Sequence, residues 1–498
     1  MLVHNGVEGD SRVQKQARSA AKAGWDVTLV GIRTRASKRV RWQIGDAEVR
    51  LVSLPAALLA QRIQQRRSLR RPLAYRPGST APYRNRYILA KRDAIQFGLG
   101  RLAEARRAGA STWRLVGGHL ALLPTRVTLK VVRRWVRFRE AELNRLLAAR
   151  SDEKALLTRL SIRTRILVSG TRSWRHFDPA LLDVELAFAP VVDRLQPDII
   201  HANDFRMIGV GACAKMRAAL RGRSVKLVWD AHELVSGVVP PAGNPRWLPG
   251  QEAHEREYGP YADAVVTVSP PLADMLAERY RLLERPAVVM NAPEMSVDPG
   301  DVPDLREHCG LDAATPVLAY CGGVARQRGL QSVVEALTRL PDVHLVLLSL
   351  QPSGGRADAD ALRAHAAELE VADRVHLLPY LPHHQVVPFL TGADAAVSPL
   401  LHTPNHEVAL TNKFFEYAQA RLPQVVSDVR LSEHMIRTTG VGEVFRAGDV
   451  DDLVRALRAV LADPARYRAG YDRPGLLDEW TWEHQSTILD QVYRRVMA

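Results

Sequence analysis

Cysteine is scarce in this 498-residue chain, and Cys213, Cys309 and Cys321 are scattered and odd in number. That argues against a disulfide framework or a cysteine zinc site and fits a reducing, cytoplasmic setting. No uninterrupted run approaches 18 apolar residues, so no membrane-spanning helix is expected. No basic-then-apolar leader opens the chain. It begins directly on Met1-Leu2-Val3-His4-Asn5, which reads as a strand so short that a few residues are expected to precede it. Several catalytic signatures are missing as well. Without G-x-x-x-x-G-K-S/T or G-x-G-x-x-G, a phosphate-loop nucleotidase and a nucleotide-dependent dehydrogenase are disfavoured. Without a G-x-S-x-G elbow, so is an α/β-hydrolase. No internal repeat is found.

What is present is an ordinary globular composition, 46% hydrophobic and 25% charged. The length fits two large domains, or two plus an insertion. The formal net charge of +15 is uneven. Between Leu51 and Ala180 stand 28 Lys and Arg against 7 Asp and Glu, while the remainder holds 41 basic and 47 acidic residues. An anionic surface is therefore the expected partner of one segment, not of the whole molecule.

Alternating strands and helices fill the rest. Asp10 and Ser11 are cap candidates for a helix running to Ala23, and Trp25–Val30 reads as the next strand. Val49–Val52, Pro197–His201, Lys226–Asp230, Ala264–Ser269 and Pro286–Met290 continue the set. The proline-rich loop 291–303 reads as a domain boundary. A second set follows with strands Pro316–Tyr320, Val343–Leu348, Val375–Leu378, Ala395–Ser398 and Gln424–Val426, and an aromatic-rich helix ends the chain. From about 55 to 186 the pattern changes to arginine-rich helices. In the clearest, Arg126–Leu147, Val127, Val131, Trp135, Val136, Phe138, Leu143 and Leu146 share one half of the helical wheel. Arg126, Lys130, Arg133, Arg134 and Arg137 cluster on the other, and the charge continues through Arg62, Arg66, Arg67, Arg70 and Arg71. Such a helix suits an anionic membrane surface, or packs its apolar face on the protein. No nucleic-acid motif accompanies it.

Consecutive parallel α/β domains gather polar residues at strand ends, facing a cleft. His201, Asn203 and Asp204 follow one strand, and Asp230, His232 and Glu233 the next. Their spacing is not that of HExxH, and metal binding is the minority reading. Gly322-Gly323, then Arg326, Arg328 and Gly329, form a loop able to meet phosphate. Asp358-Ala359-Asp360 reads as solvated surface. Glu416 sits between aromatics just inside a helix preceded by Asn412 and Lys413; it suits either the helix dipole or a ribose, and the helix end suits a diphosphate.

Taken in order, five stretches resemble the retaining, family-4-like glycosyltransferases of the GT-B fold: VEGDSRVQKQARSAAKAGWDVTLV, PDIIHANDF with LVWDAHEL, ADAVVTVSPPLADMLAERY with VVMNAPE, LAYCGGVARQRGLQSVVEAL, and NKFFEYAQARLPQVVSD. The resemblance covers nearly all but residues 55–186. It implies an α/β chain of two Rossmann-like domains facing a central cleft, with the basic, mostly helical stretch as an insertion. The N-terminal, acceptor-side domain is expected over 1–291, completed by the helix 481–498, and the nucleotide-sugar domain over 292–480. Glu416 matches the family glutamate on the donor ribose, Arg328 the basic residue on the diphosphate, His232 the active-site histidine, and Gly6 the loop approaching donor and acceptor. Asp10, Arg12, Asn203 and Asp204 are the acceptor-side candidates.

The chain departs from the family twice. Eight residues before Glu416, where a second glutamate often stands, is Val408, with Glu407 beside it. Its sugar contact would pass to backbone N–H groups near Leu410 and Thr411. Where an arginine often stands, this chain has Gly322, and Arg326 would compensate with Gly323 beside it. The implied activity is hexosyl transfer from a nucleotide-diphosphate sugar to a cell-envelope, polysaccharide or lipid-linked acceptor in a bacterium. It would need no metal, and nucleic acid is not an expected partner. The alternatives are a non-catalytic scaffold and a sugar-nucleotide epimerase.

Overall fold

The structure is a computed structural model that describes residues 1–34, 37–54, 71–77, 80–151, 156–238, 240–241, 244–350 and 356–498. Arg62, Arg66, Arg67 and Arg70 lie outside the described residues. Two units are present. One comprises Met1–Pro55, Val184–Val238 and His254–Ala498, and the other Ala56–Asp183 and Val239–Ala253.

The first unit holds two parallel sheets. The N-terminal one comprises β1 (Thr28–Ile32), β2 (Arg41–Ile44), β3 (Ala47–Val52), β4 (Ile199–Asn203), β5 (Lys226–Asp230), β6 (Ala264–Thr267) and β7 (Ala287–Val288). The strands run β1-β3-β2 and β4-β5-β6-β7, and Leu2 bridges the two runs by pairing with Val30 and Ala202. The expected first strand is thus present in place, reduced to a bridge between β1 and β4. Only β2 is antiparallel; Arg41 and Gln43 are exposed on one face and Trp42 is only half-buried on the other, so no buried pattern announced it. Asp10 caps the helix Ser11–Lys22 by accepting from Val13 N. The last helix, Trp482–Met497, returns to this sheet and packs Trp482, Leu489 and Tyr493 with Val13, Leu29 and Val228.

The C-terminal sheet comprises β8 (Val317–Cys321), β9 (His344–Leu350), β10 (Val375–Pro379), β11 (Ala395–Ser398), β12 (Gln424–Ser427) and β13 (Gly442–Phe445), ordered β10-β9-β8-β11-β12-β13. Strand order therefore reverses between β8 and β11, and the crevice beyond the carboxyl ends of those two strands is where open α/β sheets take ligands. The sequence pattern did not reveal β13: it opens on Gly442 and buries only Phe445.

The second unit is helical, with Thr80–Arg107, Thr112–Ser151 and Leu156–Ser169 as its longest pieces. It also takes in Val239–Ala253, which no composition shift marks. The single apolar half expected on Arg126–Leu147 is split in two. Val136, Leu143 and Leu146 are buried with Ala74, Tyr75, Ala81 and Ile88, whereas Val127, Val131, Trp135 and Phe138 are exposed. No membrane-spanning helix is expected from the sequence. Thr112–Ala149 is long and apolar enough, by length and average composition, to cross a membrane. Gly117, Gly118, His119, Pro124, Arg126 and Lys130 interrupt its apolar run.

Candidate functional site

The site begins where β8 ends. Tyr320 donates its hydroxyl to Gly323 O at 2.6 Å. Lys413 Nζ donates to that same hydroxyl at 3.1 Å and lies 4.4 Å from the ring centroid. Lys413 is in the first turn of the helix Asn412–Gln419, whose N-cap Thr411 makes no side-chain cap bond. As at any helix start, the N–H groups of Asn412 and Lys413 have no intrahelical partner, while Phe414 N donates to Thr411 O at 3.0 Å. Burial, then the neighbouring Arg328, lowers the Lys413 ammonium to about 7. No carboxylate among the described residues pairs with Arg328, which ends the turn Arg326–Arg328; Arg326 is exposed.

Glu416 follows Lys413 by three residues, on the same face of the helix. It is buried, its Oε2 accepts from Cys321 Sγ at 2.9 Å, and its Oε1 accepts no bond among the described residues. Burial raises the Glu416 carboxyl, opposed by Cys321, Lys15 and Lys413. Leu410 packs beside Phe414 and Phe415, and Thr411 is half-buried. Two glycines make this geometry possible. Gly322 has φ +120°, and a Cβ there would lie 3.4 Å from Lys413 Nζ. Gly329, at φ +71°, approaches Pro399 O so closely that a Cβ would stand 1.9 Å from it.

The facing side comes from the switch point of the N-terminal sheet. Gly6 belongs to the loop after Asn5, in which Val7 holds φ 67°. Asp204, directly after β4, also holds φ 67°. A β-branched residue there is strained, and strain of this kind gathers at functional sites. Asp204 accepts from Arg206 N at 2.6 Å, and burial raises its carboxyl.

His232 follows β5, with Nδ1 3.5 Å from Asp230 Oδ1. Burial opposes its charge, but Asp230 outweighs burial and raises the imidazole to about 9. Asp230 in turn is gripped by Arg12 at 2.8 and 3.0 Å, and its carboxyl stays well below the usual range although burial works against it.

Three acceptor-side candidates turn out to be committed to the framework. Arg12 is buried, with its remaining arm on Val289 O. Asn203 is buried with its amide on Leu2 O. Asp10 caps its helix and accepts from Asn5 Nδ2 at 2.7 Å. His201 is likewise internal, between Tyr493 (2.7 Å) and Asp230 (3.5 Å). Among the described residues no group of three or more His, Cys, Asp and Glu is placed to hold a metal ion. A cavity of about 270 Å³ is lined by Met1, Val27, His201 and Tyr493 and by no other candidate site residue.

The two sides touch. Asn291 Nδ2 donates to Asn412 Oδ1 at 2.6 Å, and Leu234 N to Asn405 Oδ1 at 2.8 Å. Lys15, which the sequence reading passed over, reaches Ala292 O and lies near Glu416; burial lowers it to about 7. Tyr380 and His383 were also missed. They meet at 3.2 Å, close enough to Glu416 and Lys15 for Glu416 to act on Tyr380 and Lys15 on His383. Tyr320 and Cys321 were legible in principle, as polar side chains at the end of a buried strand. Lys15 was not, because nothing in its helix distinguishes it from a surface lysine.

Residues 126–292 match the model of Glycosyltransferase Family 4, and residues 301–473 that of Glycosyl transferases group 1. The chain belongs to the GT-B glycosyltransferases. The family's two matches fall in order on the two halves that supply the two sides of the site. Among curated relatives, the alpha-maltose-1-phosphate synthase of Mycolicibacterium smegmatis is 28% identical over 258 residues, 48% of this chain and 64% of that protein. The chain thus spans less than two thirds of that relative's length. The sucrose-phosphate synthase of Thermosynechococcus elongatus superposes with a TM-score of 0.61 at 16% identity, over 100% of this chain and 95% of that one. Anabaena HepE in complex with UDP and glucose gives 0.51 at 16% identity, over 66% of this chain and 83% of that one. These two structures share the GT-B fold with the chain.

Proposed function

We propose that this glycosyltransferase-family chain moves a hexose-type sugar from a nucleoside-diphosphate donor to a glycan or lipid-linked acceptor of the cell envelope, with retention and without a metal. One observation carries the reading: a pair of cations, buried Lys413 and half-buried Arg328, neither ion-paired among the described residues, stands beside Glu416 at a helix N-terminus on the switch point of the second sheet. Glu416 Oε1 accepts a ribose hydroxyl. Arg328, Lys413 and the N–H groups of Thr411 and Asn412 take the diphosphate, with Gly323 and Arg326 at its edge. The Gly6 loop closes on it from the other side, and the His232 imidazolium faces the sugar. Stabilising the leaving diphosphate and shielding an oxocarbenium-like centre from water are the two demands of such a transfer. HepE, of the same fold, is described with UDP and glucose, which makes UDP-glucose the first donor to try. The scarcity of cysteine supports a cytoplasmic setting.

The test is nucleoside-diphosphate release from a donor panel, with and without envelope glycans, lipid-linked sugars and phosphorylated sugars, and with EDTA in parallel. Acceptor-dependent release unaffected by EDTA is expected. Conversion of the donor to an isomeric nucleotide sugar, with no acceptor and no net release, favours the epimerase. Donor binding without release favours the scaffold, a reading kept open by the commitment of Glu407 to His402 Nδ1 (2.6 Å) and Arg430 N (2.9 Å).

A further inference from the structure

The helix Thr112–Ser151 carries two apolar faces, and only one has a partner. At about 100° per residue, Val136, Leu143 and Leu146 point to one side, where they are buried with Ile88 and Tyr75. Trp113, Leu120, Val127, Val131, Trp135 and Phe138 fall within about a quarter of the circumference, on a different side. All six are exposed, Trp113 by 87%. The stripe runs roughly 40 Å along the helix at 1.5 Å per residue and includes Trp113 and Trp135, rings suited to the headgroup level of a helix lying in the interface.

A row of cations borders the stripe. Arg126, Lys130, Arg133 and Arg137 lie side by side along one edge, all exposed. None of them makes an ion pair among the described residues. The next helix repeats the composition, with Leu157, Leu160 and Leu167 exposed beside Arg159 and Arg163.

We infer that this stripe and its arginine edge dock the helical unit in the plane of an anionic bilayer, with the apolar residues among the acyl chains and the cations on lipid phosphates. Charge selects this occupant. Two copies pairing through the stripe would bring arginine rows of one sign together. A nucleic acid would satisfy the cations and leave the aliphatic stripe in water. Thr112–Ala149 could cross a membrane by length and average composition, yet cations in successive turns from Arg126 to Arg137 fit a helix lying along the surface.

The test is co-sedimentation of the full chain with vesicles of phosphatidylcholine alone or mixed equally with phosphatidylglycerol. It uses the double variant Val127→Asn/Val131→Asn and the triple variant Arg126→Gln/Arg133→Gln/Arg137→Gln, whose positions are exposed. The wild type should sediment only with the anionic vesicles. The double variant should partition about tenfold less and the triple variant on the order of a hundredfold less. Both should keep wild-type thermal unfolding and nucleotide binding. Wild-type protein left in the supernatant, or binding indifferent to the valine substitutions, overturns the inference. So does a dimer in light scattering that the double variant abolishes, or capture of an oligonucleotide, in either case without vesicle binding.

Discussion

Lys413 stands over the ring of Tyr320 and donates to its hydroxyl, so the buried ammonium is held by an aromatic face and a phenol rather than by a carboxylate. A cation kept this way is stabilised less by the protein than it would be by a phosphate.

The first prediction concerns that ammonium. Its value falls from 10.5 to about 7 because burial disfavours the charge. A diphosphate favours the charged form, so nucleotide binding should take up a proton above pH 7 and weaken as pH rises toward 9. Calorimetry in buffers of different ionisation enthalpy reads the proton directly. For stability the sign is opposite. Between about pH 7 and 10.5 the unfolded lysine holds more proton than the folded one, so stability without ligand rises with pH there, and the full cost is present below 7. Lys413→Met should raise the melting temperature at pH 6.5, worth about 1–2 kcal/mol, shrink that gain toward pH 10, and abolish nucleotide binding.

Asp230 is the hinge of the second prediction. Asp230→Asn leaves Arg12 buried without its carboxylate and should cost about 3–5 kcal/mol. The His232 imidazolium should then titrate well below its value of about 9. With that raised value, the stability His232 contributes is complete below about pH 6.5 and lost as pH rises through 9. Proton NMR of the imidazole and urea unfolding check both. His232→Ala should retain the fold and lose transfer.

Glu407 lies beside the position where relatives of this fold place a second glutamate, but its oxygens hold His402 and the Arg430 amide. Glu407→Gln should therefore change nucleotide affinity less than threefold, while unfolding shows a loss of about 1 kcal/mol.

Gly322→Arg, which would install the side chain common at this place in the family, should impair the protein. The left-handed φ of +120° and the nearby Lys413 ammonium both oppose it. A loss of about 1–3 kcal/mol and weaker donor binding are expected in thermal and titration assays.

The alternation of buried strands and helices was legible because β4, β5, β6, β8 and β11 are short apolar runs ending in polar residues. Lys413 and Glu416 stood out by their place in the first turns of an amphipathic helix, and Arg328 by its place in the glycine-and-arginine loop after β8. Arg12 was misplaced because a helix N-terminus near a site and a buried ion pair with a residue 218 positions away look alike in sequence. The two apolar faces of Thr112–Ser151 also merged into one, since a helical wheel orders residues by angle but does not say which sector meets a neighbour. Lys15 acquires its place only through the return of the chain at Ala292 and Trp482.

Thermal stabilisation by UDP-, GDP-, ADP- and dTDP-sugars, with Glu416→Ala measured beside the wild type, tests the donor site most directly. A ligand that binds only the native state must raise its melting temperature. A shift with one nucleotide, absent in a folded Glu416→Ala protein, is the predicted result. A shift that survives the substitution, or no shift with any of the four, would contradict the assignment of Glu416 and its helix to the donor.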